Sequence, residues 1–401
     1  MTFRERIEKI VDSKLWKYQD IALKIHEKPE VSNYEFFACE TLSKQLENEG
    51  FDVKVNVAGH RTGFDARYRS KKSGPVIVFY AEYDALAGLG HGCGHNLFGA
   101  TSSLAAVALK EVIDEVGGEI RVYGTPGEEG GENGSAKGSF VDNGFFDDVD
   151  FSLGVHPGWK HTATSSSLGV APVDVEFFGK PAHAAAAPEE GINALDALIS
   201  VYNNVNALRQ HLPSDVRIHG IITDGGLAPN IVPEYAKAKF YLRAEFKPTL
   251  DMVYEKFENI VKAAALATGC EYKFGLYQNR VDNNIPTPLF DEVYEEVLNS
   301  YGQEFTPIDI YKAVASSDVG NISQVVPVIQ PHICISDEKI IGHTEGFKQA
   351  ARSEKGLNSI GFGAKVLAQT ALKLIQNPER LEEIKKQHRE NVLRQGEKWL
   401  K

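Results

Sequence analysis

The stretch Tyr80-Ala-Glu-Tyr-Asp-Ala-Leu-Ala-Gly-Leu-Gly-His-Gly-Cys-Gly-His-Asn96 leaves the fewest choices for the chain around it. The apolar run Pro75–Tyr80 leads into it and predicts a buried strand that ends in two acids, Glu82 and Asp84. Glycines at 88, 90, 92 and 94 then permit sharp turns, so that Cys93 and His95 can point at one spot. Leu97–Val116 carries helical apolar periodicity, with Asn96 as its expected N-cap. Acids at a strand's carboxyl end, followed by thiol and imidazole at a helix entrance, match the place where open α/β sheets keep their sites.

The flanking pattern extends this reading. Helices are predicted over 3–28 and 34–49, strands over 53–57, 63–68 and 119–123, and a further strand over Phe151–Val155 that ends at His156-Pro157. Strands alternating with helices imply a mixed sheet with helices on both faces. From about Ala171 to Asn279 the order becomes strand, helix, strand, strand, helix, strand, the ferredoxin-like βαββαβ unit. Helical patterns resume at Pro288–Ser300 and Gly361–Gln376, and residues 377–401 read as a charged, solvated helix. The expected fold class is α/β, with a catalytic domain in two pieces, 1–170 and 281–401, around an inserted domain at 171–280.

Composition narrows the partners. With 401 residues and 42% hydrophobic content the chain can bury a sizeable core. Its net charge of -12 argues against nucleic acid and anionic membrane surfaces. Met1–Ile10 is charged and amphipathic and lacks the apolar core of a signal peptide. Cysteines 39, 93, 270 and 334 are too scattered for a disulfide framework, so a reducing, cytoplasmic setting is expected.

Cys93 and His95 offer a thiolate and a neutral imidazole, ligands suited to a divalent ion. An isolated Cys-x-His pair is more often a buried thiol beside a packing histidine. Here, however, three successive strands end in polar, potentially liganding residues. The Gly-rich loop Thr125–Gly134 carries adjacent acids, Glu128 and Glu129. A carboxylate on a metal is locked as an anion, whereas a neighbour that stays free can take a proton from metal-acidified water. Asp84, two residues beyond Glu82, is expected to orient a metal ligand. Asp318 is a weaker candidate for the same kind of supporting role. An arginine within an apolar strand, Arg243 in Phe240-Tyr-Leu-Arg-Ala244, requires an anionic partner or a surface edge.

These motifs together resemble the aminoacylase/carboxypeptidase superfamily of co-catalytic metallopeptidases. The likeness runs from His26-Glu-Lys-Pro-Glu30 through Glu82-Tyr-Asp-Ala-Leu86, Gly90-His-Gly-Cys-Gly-His-Asn96, Thr125-Pro-Gly-Glu-Glu-Gly130 and Gly154-Val-His-Pro157. It continues through Gly179-Lys-Pro-Ala-His-Ala184 and Pro229-Asn-Ile-Val-Pro233 to His343-Thr-Glu-Gly-Phe347. The most similar branch is the amidohydrolases that act on p-aminobenzoyl-glutamate and β-alanyl dipeptides. The resemblance implies a zinc-exopeptidase-like fold whose inserted lid also mediates dimerisation. It implies Cys93, His95, Glu129, His156 and His343 as ligands of two metal ions, with Cys93 as the bridge. Two Zn2+ are expected, with Mn2+ or Co2+ as substitutes. In the peptidase branches an aspartate bridges and a histidine stands where Glu82 stands here.

By the same resemblance Glu128 is the general base and acid, and His183 of the lid stabilises the oxyanion from the partner subunit. Asn230 and Arg243 then bind the substrate carboxylate or carbonyl, for which a guanidinium is the matching fork. The expected activity is hydrolysis of an amide bond in N-acyl amino acids, dipeptides or short peptides by a metal-held hydroxide. The expected assembly is a homodimer, or a tetramer built from it. Two other readings remain at this point: a cysteine amidase with Cys93 as nucleophile, and a binding homologue that has lost catalysis. His26, His60, His161, His211, His219, His332 and His388 fit no constellation and are expected to be structural or exposed.

Overall fold

A computed structural model describes residues 1–313 and 315–395. It divides into two compact units, Met1–Ser167 with Asn284–Arg394, and Leu168–Asn283 with Gln395. Within the first unit the chain runs α1 (Phe3–Glu27), α2 (Phe36–Asn48), β1 (Asp52–Val57), β2 (His60–Arg69), β3 (Val76–Ala81), α3 (His95–Val116), β4 (Glu119–Gly124), α4 (Ala136–Asp142), β5 (Phe151–Leu153) and β6 (His156–Gly158). The second unit holds β7 (Gly169–Phe178), α5 (Ala194–Leu208), β8 (Arg217–Asp224), β9 (Tyr235–Ala244), α6 (Lys247–Thr268) and β10 (Glu271–Leu276). The chain then returns to the first unit with α7 (Pro288–Asn299), α8 (Val319–Ser323), β11 (Val328–Ile329), β12 (His332–Cys334), α9 (Glu345–Ala350), α10 (Glu354–Gln376) and α11 (Pro378–Arg394). The charged helix expected to the chain end is present as α11; residues 396–401 of that expectation lie outside the described residues.

The six-stranded sheet of the first unit has the order β1-β2-β4-β3-β5-β11. The β1–β2 and β2–β4 pairs are antiparallel, whereas β4–β3, β3–β5 and β5–β11 are parallel. Strand β3 shows why the sheet needs cover on both faces. Ile77, Phe79 and Ala81 join the core formed with α1, α3 and α10, while Val78 and Tyr80 join a second core with Phe98, Phe140 and Ile322. A strand apolar on both sides reads as the continuous run seen in the sequence. The parallel strands all end toward one edge, where the polar segments after β3, β4 and β5 meet.

Two local expectations change. The strand from Phe151 stops at Leu153, and the chain restarts at His156 as β6, which pairs in parallel with β12 in a separate two-stranded ribbon. This offset takes His156 off the main sheet. Helix α3 begins at His95 rather than after Asn96; its N-cap is Gly94 at φ 77. A Cβ on Gly94 would stand 3.0 Å from Pro157 as well as in a strained backbone conformation. Asn96 instead donates to the carbonyls of Ala22 and Ala351, stitching α3 to its neighbours.

In the second unit the sheet order is β10-β7-β9-β8, antiparallel throughout. Alternate residues of β9, from Ala236 to Ala244, are buried beneath α5 and α6, the period-two signature of a sheet with one covered face. The other face of β9 carries Lys237, Lys239, Tyr241 and Arg243, half-buried.

Candidate metal centre

After β3 the backbone delivers Glu82 and Asp84, both buried. Asp84 ties two segments together: Oδ1 accepts from His95 Nδ1 at 2.9 Å and Oδ2 accepts from the Glu129 N–H at 2.9 Å. Burial opposes the charged form, yet Cys93 and Asp84 hold the His95 imidazole well above its ordinary range; a cation would displace the Nε2 proton and leave Nδ1–H on Asp84, the usual way a liganding imidazole is oriented. His156 is oriented likewise, since Nδ1 donates to Pro157 O at 2.8 Å and Nε2 lies 3.4 Å from Cys93 Sγ. His343 sits at φ 62, a left-handed conformation uncommon for histidine, with its N–H on Gly92 O. That placement sets His343 Nε2 3.3 Å from Glu129 Oε2.

The ligand atoms form two groups that share the thiol. Cys93, His95 and His156 each offer an atom within 4.8 Å of the others, and so do Cys93, Glu129 and His343. His95, Glu128 and Glu129 make a third group. Two ligands on ~2.0–2.1 Å bonds at tetrahedral angles stand about 3.3–3.4 Å apart. The Glu129–His343 contact has that spacing; a Zn–S bond of ~2.3 Å asks for about 3.6 Å to a neighbouring nitrogen, and the Cys93–His156 contact at 3.4 Å is close to it. His95 Nε2 and Glu129 Oε1 are buried with no hydrogen-bond partner among the described residues. Orphaned lone pairs facing one another in a dry pocket are costly unless a cation satisfies them. The residues therefore fit divalent ions, with Cys93 common to two of the candidate groups.

The electrostatics agree. Burial pushes the Cys93 thiol up, so without a cation it keeps its proton; an ion at the same spot would reverse that. Burial, His332 and His95 hold His156 well below the ordinary imidazole range, leaving a neutral ligand. Burial also holds the Glu128 carboxyl well above the usual carboxylate range, reinforced by Glu82 and Glu129.

A cavity of about 360 Å³ opens onto Cys93, Glu128, Glu129, His156 and His343. Its remaining wall includes His332, expected to be structural or exposed, whose ring packs against His156 with centroids 5.3 Å apart. A larger hollow of about 510 Å³ beside Trp159 and Lys355 contains none of the ligands.

Several contributors escape the sequence reading. Lys137 is fully buried; its Nζ lies 2.9 Å from Glu82 Oε1 and also bonds Asp318, whose other oxygen accepts from the Lys137 N–H. Glu35 accepts from the Gly127 N–H and from the Thr62 hydroxyl, each at 2.9 Å. Asn33 Nδ2 donates to the carbonyls of Glu132 and Asn133 in the same loop. Partners this far apart in sequence leave no local signal, though a Gly-rich loop bearing two acids does require an anchor.

His183, Asn230 and Arg243 belong to the second unit. His183 and Asn230 are exposed neighbours: Ala184 N–H donates to Asn230 O, and His183 pairs with Ile231. Arg243 lies at the far end of β9, opposite Val170 and Arg217, with Nε 3.3 Å from His219 Nε2. The strand from Tyr235 to Arg243 spans about 26 Å.

Comparison with known proteins follows the same division. A peptidase dimerisation domain model matches residues 166–269. The Xaa-Arg dipeptidase of Mus musculus is 36% identical over 340 residues, 82% of this chain and 78% of that protein. A p-aminobenzoyl-glutamate hydrolase component of Escherichia coli (strain K12) is 34% identical over 320 residues, 74% of this chain and 65% of the relative. Among solved structures, an aminobenzoyl-glutamate utilization protein from Klebsiella pneumoniae superposes with a TM-score of 0.70 at 18% identity, covering 92% of this chain and 98% of its own. A dinuclear metal-binding peptidase of the M20 family from Bacillus subtilis gives 0.61 at 17% identity, covering 91% and 99%.

Proposed function

This chain belongs to the M20 family of metallopeptidases, and from that premise we propose that it cleaves dipeptides or N-acyl amino acids with Glu128 as general base and acid. Metal-dependent hydrolysis of a C–N amide bond is the activity of the family. The observation that carries our reading is the pair of ligand groups sharing Cys93, with Glu128 beside them and a cavity in front.

Cys93, His95 and His156 would hold one ion, and Cys93, Glu129 and His343 the other. A thiolate–imidazole–carboxylate set favours zinc. Bound there, the ions would supply Lewis acidity toward a carbonyl oxygen and toward water. Glu128 then accepts the proton of the attacking water as the O–C bond forms, and delivers it to the amide nitrogen as the C–N bond breaks. A carboxyl raised by burial is suited to both halves of that transfer. With an ion bound, the Nδ1–H bond to Asp84 would keep Nε2 directed at it.

His183 as oxyanion donor and Arg243 as carboxylate fork complete the proposal. Arg243 lies near one end of β9, and Asn230 precedes the other end, Tyr235, by five residues of loop. That separation supports a site drawn from two copies of the chain, hence a homodimer through the second unit. The four free cysteines fit a reducing compartment such as the cytoplasm.

A thiol nucleophile is the less favoured reading. Cys93 does touch His156, but nucleophilic thiols have lowered pKa values and this one is raised. Chelator treatment followed by zinc or manganese, read on a mixed dipeptide and N-acyl amino acid panel by mass spectrometry, tests the proposal. Activity lost to chelator and restored by metal supports it. Activity indifferent to chelator and abolished by iodoacetamide would replace it with the cysteine mechanism.

A further inference from the structure

Strands β6 and β12 pair in parallel with His156 opposite His332, so the two side chains leave the ribbon on one face. Their ring centroids lie 5.3 Å apart, and His332 lines the same cavity as Cys93, Glu128, Glu129 and His156. Gly158, two residues beyond His156, makes room for the second ring. A Cβ there would stand 3.1 Å from both Cβ and Cδ2 of His332.

Thr162 fixes how that ring is turned. The two residues exchange backbone hydrogen bonds, 2.9 Å from the His332 N–H and 3.4 Å from the Thr162 N–H. Thr162 Oγ1 then lies 3.2 Å from His332 Nδ1. Burial pushes this imidazole down to about 4, so the ring is neutral and carries one proton. Among the described residues Nδ1 is the only hydrogen-bond partner of the Thr162 hydroxyl. A hydroxyl that donates to Nδ1 assigns the ring proton to Nε2. That Nε2–H meets no acceptor among the described residues, although its ring lies on the cavity wall.

We propose that His332 is a catalytic residue, donating Nε2–H to the carbonyl oxygen of the amide being cleaved. The proposal rests on the metal-dependent reading above. There His156 is one holder of an ion that polarises this oxygen, and a ring packed against His156 stands beside a group bound at that ion. As water adds to the carbonyl carbon, the C=O π pair moves onto oxygen, and the hydrogen bond strengthens with the charge. An interaction that grows in this way acts on kcat more than on KM. It gives the site an oxyanion donor from the first unit, independent of His183.

The test compares His332→Phe and His332→Gln in the full-length, metal-loaded protein. Phenylalanine keeps a ring against His156 and removes the donor, whereas glutamine restores an N–H. His332→Phe should lower kcat by about a hundredfold with KM little changed. It should weaken a phosphinic alanyl-alanine analogue, whose P–O oxygen mimics the oxyanion, by a similar factor in calorimetry. His332→Gln should recover part of both, and metal content should match wild type in each variant. Unchanged kcat and analogue affinity in His332→Phe overturn the proposal, as does a glutamine variant no better than phenylalanine. Loss of bound metal in either variant also overturns it, because His332 would then serve only to seat His156. A wild-type enzyme indifferent to chelator would instead remove the metal-dependent reading itself.

Discussion

Glu35 Oε1 accepts the Gly127 N–H at 2.9 Å, joining the start of α2 to the loop that carries Glu128 and Glu129 across 92 residues of sequence. Without that acceptor the loop loses its deepest anchor, and general-base geometry tolerates little displacement. Glu35→Ala should lower kcat/KM by about ten- to a hundredfold. Loss of a buried hydrogen bond should also cost about 1–3 kcal/mol of stability. Glu35→Gln keeps an acceptor oxygen and should retain most activity. Steady-state kinetics with thermal melts on both variants checks this; equal kcat/KM in Glu35→Ala and wild type would dismiss the anchoring role.

Glu128→Gln preserves shape and removes the proton acceptor. Turnover should fall by about 10²- to 10⁴-fold, the usual worth of general acid–base catalysis. Metal content and melting temperature should stay at wild-type values. Turnover within tenfold of wild type would remove Glu128 from this role.

His183→Ala should reduce kcat by on the order of a hundredfold, as for loss of one oxyanion donor, with metal retained. If the site is drawn from two copies, heterodimers of His183→Ala and Glu128→Gln subunits should regain part of the activity, since one site then has both residues intact. Verified heterodimers with no recovery would assign His183 to its own subunit.

Asp291 supplies a pH signature away from the ligands. Its Oδ1 accepts from the Thr164 N–H and hydroxyl at 2.8 Å each, and burial pushes its carboxyl from the ordinary aspartate range up to about 7. A raised folded pKa means that the stabilisation is complete below the unfolded pKa and is lost as pH rises through about 7. Asp291→Asn retains the acceptor oxygen and cannot ionise. Its melting temperature should exceed wild type by about 2 °C or more at pH 8, with the gap closing by pH 4. Parallel melting curves across that range would contradict the buried, protonated acid.

Metal removal should destabilise the protein. An ion bound to the native state alone stabilises it, so chelation should lower the melting temperature and reloading with zinc or manganese should restore it. Cys93→Ser should remove most of that difference, whereas Cys39 and Cys270 lie in the cores of their units and take no part in it. A melting temperature that chelator and added metal both leave unchanged would mean that no ion is held there.

The proposed ligand side chains stood out in the sequence because the chemistry the resemblance assigns them is tied to short motifs. Cys93 and His95 lie on one glycine turn, Glu128 and Glu129 on another, and each turn follows an apolar run whose strand character is plain. The supporting residues had no such mark. Lys137 reads locally as a surface lysine between Ala136 and Gly138, since lysines are almost never fully buried unless paired. Its partners Glu82 and Asp318 are 55 and 181 residues away. His332 fitted no constellation in the sequence; its place against His156 comes from the β6–β12 pairing.

Periodicity and motif therefore determined by themselves the kind of elements, the α/β class and the residue types suited to a metal, because these depend on local backbone preference and on ligand chemistry. Tertiary structure alone decided that Glu82 lies between the Lys137 ammonium and the His95 imidazole. It likewise decided that Asn230 and Arg243 lie toward opposite ends of one sheet. Charge compensation and strand register are set by groups distant in sequence, and only folding brings those groups within reach of one another.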